Sequence, residues 1–556
     1  MVLIMRVHRP RDLSPGEIGF HPQPPVPWLN PGLLLTTGIR VSLAYALGSY
    51  LDKRELQAAL PDDTFSHTDT DELWLDFTAD GGDGFDATYS VAYLLGRPEL
   101  PVDGLAEPLP RGRVLVLGGD QVYPTAAARA YEDRWKGPYR AALPKLQPDS
   151  PTLYALPGNH DWYDGLTAFL RLFAQQDPVG GWRTAQQRSY FALELPHRWW
   201  LLAIDIQLDS YVDEPQLDYF RAVAERLRPD DRIILVAARP SWAMTHEHPD
   251  AYDNLDYFIR TVLEPTGARV PLMLAGDHHH YARYSGPGPD GRGRMLITAG
   301  IGGAYLSSTA HLPDELSVPA PDTISRAASE PQPYRLETTY PSRAVSRGLA
   351  WGIFARLPLH NRGFPVLVGL MQTLLMLALL TADGQWLNAP IGFAVAAVLG
   401  GTYLFAVLMG RRGWRHRLAG VLHAVPHVLL GIAGAAVWSQ LPLIDAPAPW
   451  GTLLAFVVYL PVISVLDTWI VAIYLLIASQ FGVNVNELHA GLAVDDFKGF
   501  VRMKIGSDGA LTIYPIGVDR VSHDWRADPD APTGEAWIVP DEPLPTRLIE
   551  PPIVVR

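Results

Sequence analysis

Four uncharged runs in the second half of the chain limit its fold more than any other feature. They cover Gly363–Ala382, Gly384–Gly410, Leu418–Ile444 and Ala446–Leu466, the last continuing past Asp467 to Asn486. Each is long enough to cross the ~30 Å hydrocarbon layer of a bilayer as a helix. Lipid offers backbone amides and carbonyls no partners, so such runs must satisfy themselves as helices. The runs predict four spans, near 364–382, 389–409, 418–439 and 451–479. The fourth exceeds a straight perpendicular crossing, and Pro461 is placed to kink it unless it tilts or runs beyond the interface. Asp467, His423 and His427 lie within these runs. Ionisable residues at membrane depth mark function by default, and the simpler reading is one Asp–His contact holding two helices together.

Basic residues orient the block. Arg343, Arg347, Arg356 and Arg362 precede the first span, and Arg411, Arg412, Arg415 and Arg417 fill the loop between the second and third. The loops Asp383–Asn388 and Leu441–Trp450 hold no Lys or Arg. The positive-inside rule then places the N-terminal part in the cytoplasm, and four crossings return the C-terminus there, with Lys498, Arg502 and Lys504. The expectation is a multi-pass protein of a cell inner membrane or plasma membrane. Met1–Asn30 lacks the apolar core of a signal peptide. A net charge of −14 argues against a nucleic-acid partner, and the absence of cysteine excludes disulfides and thiolate metal sites.

The chemistry is written in three stretches ahead of the spans. Val114–Leu117 runs into Gly118-Gly119-Asp120, Leu153–Leu156 into Pro157-Gly158-Asn159-His160-Asp161, and Pro271–Ala275 into Gly276-Asp277-His278-His279-His280. Each apolar run reads as a buried strand, and the glycine lets the chain turn at its end. Ligands at the carboxyl ends of strands point into one crevice. Asp, Asn and His gathered there are donors for a divalent metal. Upstream, Leu73–Thr78 alternates like a strand and puts Asp80 near its end.

This set resembles the calcineurin-like metallophosphoesterases over roughly residues 70–300, most specifically in Gly158-Asn159-His160-Asp161. The resemblance implies a four-layered αββα sandwich, here followed by an all-α transmembrane domain of about four helices. It also implies two divalent ions, one held by Asp80, Asp120 and His279, the other by Asp120 as bridge, Asn159 and Asp277. Three departures stand out: Gly82 and Ala238 occupy positions where the family has His, and Asp277 replaces another. Loss of imidazole in favour of oxygen donors moves preference toward Mn or Mg over Zn or Fe. Asp83, His278 and His280 are possible additional ligands, and His246 or His248 more remote ones. His160 would serve the leaving group, Asp161 would orient its ring, and Tyr281 and Arg283 would contact phosphate.

The chain is thus read as a helical extension (1–60), a metallophosphoesterase domain (61–310), a linker (311–363), a transmembrane domain (364–482) and a cytoplasmic tail with a β-hairpin at 497–515 (483–556). Residues 31–60 are expected to form helices packed on the catalytic domain, 310–340 a Pro-rich loop, and 344–357 an interfacial helix or a turn. The leading function is hydrolysis of a phosphoester or phosphoanhydride, on a phosphorylated small molecule or a lipid-linked phosphate. A membrane-tethered sensor or scaffold that binds a phosphorylated ligand is the alternative, and a small transporter depends on Asp467 alone.

Overall fold

A computed structural model describes residues 14–47, 53–61, 63–206, 211–381, 389–407, 413–445, 447 and 449–556. Asp52, Asp383–Asn388, Arg411 and Arg412 lie outside the described residues. The chain forms two compact units, one of residues 1–26, 39–343 and 495–556, the other of 27–38 and 344–494.

The first unit is mixed α/β. In its eight-stranded sheet Leu73–Thr78, Val114–Leu117, Thr152–Ala155 and Arg183–Thr184 run parallel, as buried apolar strands joined by helical crossovers do. The nine-stranded sheet carries Phe191–Leu195, Trp199–Ile204, Arg232–Ala237, Arg269–Ala275, Arg294–Ala299 and Tyr281–Gly286 in that order. One core lies between the sheets, where Leu75, Phe77 and Val116 meet Leu201, Val236 and Leu274. A second covers the smaller sheet with Phe85–Gly96 and Thr167–Phe173, and a third covers the larger with Glu214–Ala224 and Asp253–Phe258.

The smaller sheet is completed from the far end of the chain. Lys498–Ile505 and Leu511–Val518 form a hairpin, and its first strand pairs antiparallel with Leu73–Thr78. Lys498 and Arg502 are therefore fully buried, rather than free charges beside the last span. Residues 310–340 also differ from the loop expected of them. Glu315–Val318 and Gln332–Tyr340 are outer strands of the larger sheet. Tyr334, Leu336, Thr338 and Tyr340 keep the alternation of a strand through the Pro-rich composition, and Pro333 is tolerated near an edge.

The second unit is helical. Its long helices are Gly363–Leu380, Ala389–Val407, Trp414–Trp438 and Trp450–Ser479, all apolar and long enough to cross a membrane. Outward faces carry bare apolar side chains such as Phe393, Val437, Val457 and Val462, which suits a lipid solvent. Pro461 offers the Val457 carbonyl no amide, and a π-helical turn at Ala455–Tyr459 absorbs that defect within one continuous 30-residue helix. Residues 343–360 are helical throughout, interrupted by a 3₁₀ turn at Ala350–Gly352. Of residues 31–60, expected to pack on the α/β domain, Glu55–Ala59 does so, with Arg54 paired to Asp213 at 3.2 Å and Gln57 bonded to Ser189, whereas Pro27–Gly38 belongs to the helical unit and Leu35, Ile39 and Leu43 are exposed along one helix.

Candidate functional site

Asp80, Asp120 and Asp277 follow three strands whose carboxyl ends meet at one edge of the two sheets. All three have left-handed backbones, with φ of 61°, 52° and 63°. Few residues other than glycine accept this conformation, and such strain gathers at functional sites. It turns each carboxylate back over its strand end. Gly158 permits the approach, because a Cβ there would lie 2.0 Å from Asp120 Oδ1.

Hydrogen bonds lock these groups together. Asp120 Oδ1 accepts from the His160 amide at 2.8 Å, and Asp80 Oδ2 accepts from the Asp277 amide at 2.8 Å. The Asn159 amide meets Asp120 Oδ2 at 2.9 Å, Asp277 Oδ1 at 3.2 Å and the Tyr163 hydroxyl at 2.8 Å. With its nitrogen inward it bonds both carboxylates. With its oxygen inward it donates to Tyr163 and completes an all-oxygen cluster of the kind a hard cation occupies. The other predicted ligand group centres on Tyr123, which the sequence reading missed. Its hydroxyl lies 2.8 Å from Asp80 Oδ1, 3.3 Å from Asp120 Oδ2 and 3.0 Å from His279 Nε2. The signal was Tyr three residues after Asp120, close enough to fold back beside it.

Other candidates are committed elsewhere. Asp83, offered as a stand-in ligand, accepts from the backbone amides of Val26 at 2.7 Å and Tyr305 at 3.2 Å. The His that the resemblance would put at position 82 does not fit there: the φ of Gly82 is 57° and a Cβ would lie 2.1 Å from the Gln121 carbonyl oxygen. The His160 ring is held at Nδ1 by the Pro124 carbonyl at 2.7 Å. Asp161, expected to orient that ring, instead accepts from the Tyr131 hydroxyl and from the Gly158 and Gln121 amides. Tyr281 and Arg283, expected at phosphate, both bond Glu550, Tyr281 at 2.6 Å and Arg283 at 2.9 and 2.7 Å. His278 and His280 pack ring to ring at 5.8 Å, and His246 and His248 are exposed loop residues. Among the described residues, Arg239 brings a cation to the cluster, 4.0 Å from Asp277 Oδ2.

Charge is out of balance here. Burial, then Asp80, Asp161 and Asp277, push the Asp120 carboxyl well above its usual range. Burial raises Asp161 to about 7 against its hydrogen bonds. Burial also lowers His160 to about 4, so its ring is neutral at pH 7, and the carbonyl bond places the proton on Nδ1. Burial, then Asp120, Asp80 and Asp277, raise Tyr123, which keeps its phenol protonated. The donor set fits a cation: the buried Asp80 and Asp120 carboxylates, the half-buried Asp277 carboxylate and the Asn159 amide crowd together, and His279 turns Nε2 to within 3.5 Å of Asp80 Oδ1. Among the described residues, one His/Asp/Glu group has three donor atoms all within 4.8 Å: Asp495, Asp496 and His523. His523 is already bonded to Asp86 at 3.0 Å, which marks an ion-pair cluster. Comparison with protein-family models and with curated proteins finds no match for this chain.

Proposed function

We propose that the α/β unit is a metal-dependent phosphoesterase, an αββα sandwich acting at the inner face of a cell membrane. One observation carries the reading. Asp80, Asp120 and Asp277 are strained into one cluster with Asn159 and His279, in which Asp80, Asp120 and His279 are buried and Asp277 and Asn159 half-buried, and the burial and mutual repulsion of these carboxylates call for a cation. Asp120, Asn159 and Asp277 would hold one ion, and Asp80, Asp120 and His279 a second, with the Tyr123 oxygen beside it. Bound divalent ions would supply Lewis acidity and activate water for in-line displacement at phosphorus. The oxygen-rich set favours Mn or Mg over Zn or Fe.

The chain's own residues supply the remainder. Arg239, 4.0 Å from Asp277 Oδ2, could pair with a phosphate oxygen bound beside that carboxylate. His160 presents an unprotonated Nε2, so it accepts a proton first and can return one to a leaving oxygen only after the substrate's charge raises its basicity. The substrate would be a phosphorylated small molecule or a lipid-linked phosphate.

Tyr123 favours a second reading, a sensor that binds a phosphorylated ligand without cleaving it. A hydroxyl already bonded to Asp80, Asp120 and His279 competes with the second ion. One experiment separates the two. Full-length protein is assayed on an aryl phosphate with Mn or Mg, and bound metal per chain is counted for wild type, Asp120→Asn and Tyr123→Phe. The enzyme reading expects Mn-dependent turnover abolished by chelation and by Asp120→Asn. Turnover surviving either change refutes it. Metal binding without turnover in both wild type and Tyr123→Phe supports the sensor.

A further inference from the structure

Four buried polar side chains meet inside the helical unit, and the phosphoesterase reading uses none of them. The Asp467 carboxylate accepts at Oδ1 from Gln372 Nε2 at 2.8 Å and from His427 Nδ1 at 2.7 Å. His427 Nε2 lies 3.1 Å from His423 Nε2. Gln372 Nε2 also donates to the His427 carbonyl at 2.9 Å, which ties the first, third and fourth long helices to one point. All four residues are at most 4% exposed. They stand on helices that the sequence reads as membrane spans, where unpaired polar groups are costly and polar chains mark function.

Neutral-state tautomers follow from this geometry. A carboxylate partner requires the proton of His427 on Nδ1, which leaves its Nε2 as an acceptor. His423 must then donate from Nε2, and its own Nδ1 carries a lone pair. That atom is buried with no hydrogen-bond partner. The Tyr474 ring stacks on His423 at 3.6 Å and fixes its plane. Gln372 Oε1, Ser464 Oγ and the Tyr459 hydroxyl are likewise buried without hydrogen-bond partners in the same unit. Such groups rarely stay dry, so the interior is polar beyond one structural Asp–His contact.

We propose that Asp467, His427 and His423 form a proton-binding relay, loaded at His423 Nδ1 and discharged onto the Asp467 carboxylate. On loading, an N–H bond forms at His423 Nδ1 while the His423 Nε2–H bond breaks. That hydrogen bonds to His427 Nε2, the His427 Nδ1–H bond breaks, and an O–H bond forms on Asp467 Oδ1. One proton enters, one carboxylate is neutralised, and both rings end as neutral tautomers. Asp467 is the only Asp, Glu, Lys or Arg in the first, second and fourth long helices, and the third carries Arg415 and Arg417 in its first turn. Among the described residues the other titratable groups around the relay are Tyr474, Tyr459, Glu487, which reaches Tyr474 through Asn484, and, on the second helix, Tyr403, packed against Gly420. Gln372 keeps the carboxylate on the relay in both states.

The test uses full-length protein with ¹⁵N-labelled histidine in lipid nanodiscs, titrated from neutral to acid pH. Nitrogen spectra read ring tautomers, and the infrared carboxylic-acid band that Asp467→Asn removes reads the terminal proton. The relay requires His423, His427 and Asp467 to change in one shared step, with His427 exchanging its Nδ1–H for an Nε2–H. It also requires His423→Gln to abolish the Asp467 step. Wild-type spectra alone can overturn it, through separate steps for the three groups or an Asp467 band that never appears. An Asp467 step surviving in His423→Gln would also overturn it.

Discussion

Replacing Arg502 tests how the returning hairpin supports the site. Arg502 and Asp76 are cross-strand partners, 0% and 2% exposed, joined by bonds of 2.7 and 2.9 Å. Arg502 also donates to the Leu109 carbonyl at 3.3 Å. Arg502→Met removes the cation but leaves the Asp76 carboxylate in the core, with the Gly112 amide at 3.2 Å as its remaining contact. Breaking a buried pair from one side costs roughly 3–5 kcal/mol, because a buried charge is left uncompensated. At about 2 °C per kcal/mol for a domain of this size, the α/β unfolding midpoint should fall by about 6–10 °C. Asp76→Leu combined with Arg502→Met removes both charges and should recover most of the loss, since apolar replacement of a whole buried pair is near neutral or stabilising. Scanning calorimetry of the full-length protein and these variants measures the cycle. A drop below about 1 kcal/mol for Arg502→Met, or a double variant no better than the single, would refute the reasoning. Leu73–Thr78 leads directly to Asp80, so Arg502→Met should also weaken metal binding.

His523 should make stability depend on pH. Its hydrogen bond to Asp86, helped by Asp495 and Asp496, raises it from 6.5 to about 9, so its contribution is complete below pH 6.5 and is lost as pH rises through about 9. The midpoint difference between wild type and His523→Gln should therefore shrink across that window, and a constant difference would count against it. Topology gives the other expectation. Leu73–Thr78 and Lys498–Ile505 share one sheet, so the chain segments flanking the helical unit must lie on the same side of any membrane, and the crossings must be even in number. With cysteine absent from the native chain, Gln440→Cys should react with an impermeant reagent on intact cells and Ser507→Cys should not; the reverse pattern would place the α/β unit outside.

The parts of the fold legible in the sequence were those set by local pattern. Uncharged runs marked the long helices to within a few residues at most ends, and apolar runs ending in glycine marked the parallel strands. Contacts distant in sequence left weaker traces. Nothing near Leu73–Thr78 announces that its neighbour comes from residue 498 onward, although Arg502 and Lys498 in an apolar alternating strand hinted at burial with partners. At 310–340 the Pro-rich composition points to a loop, and the strand is visible only in the alternation of Tyr334, Leu336, Thr338 and Tyr340.

Which residues gather at the candidate site was legible in the sequence, but the contacts each of them makes were not. Asp80, Asp120, Asn159, Asp277 and His279 come together because each follows a strand end, and strand ends are what a sequence shows. Roles depend on which neighbour reaches a side chain first. Glu550, from the far end of the chain, engages Tyr281 and Arg283, while backbone amides engage Asp83 and Asp161. Gly82 explains why the first ligand group departs from the expected pattern: the Gln121 carbonyl oxygen fills the space any Cβ would need. The same turn carries Tyr123 into that group, where its hydroxyl bonds the Gly82-side carboxylate, Asp80. In the proposed site, a glycine where the resembled family has His and a phenol oxygen beside Asp80 are therefore linked through one backbone contact. A Gly82→His substitution alone would disrupt the turn before it could offer a ligand, and Tyr123 is the position at which the chemistry of the proposed site can be changed without moving the chain.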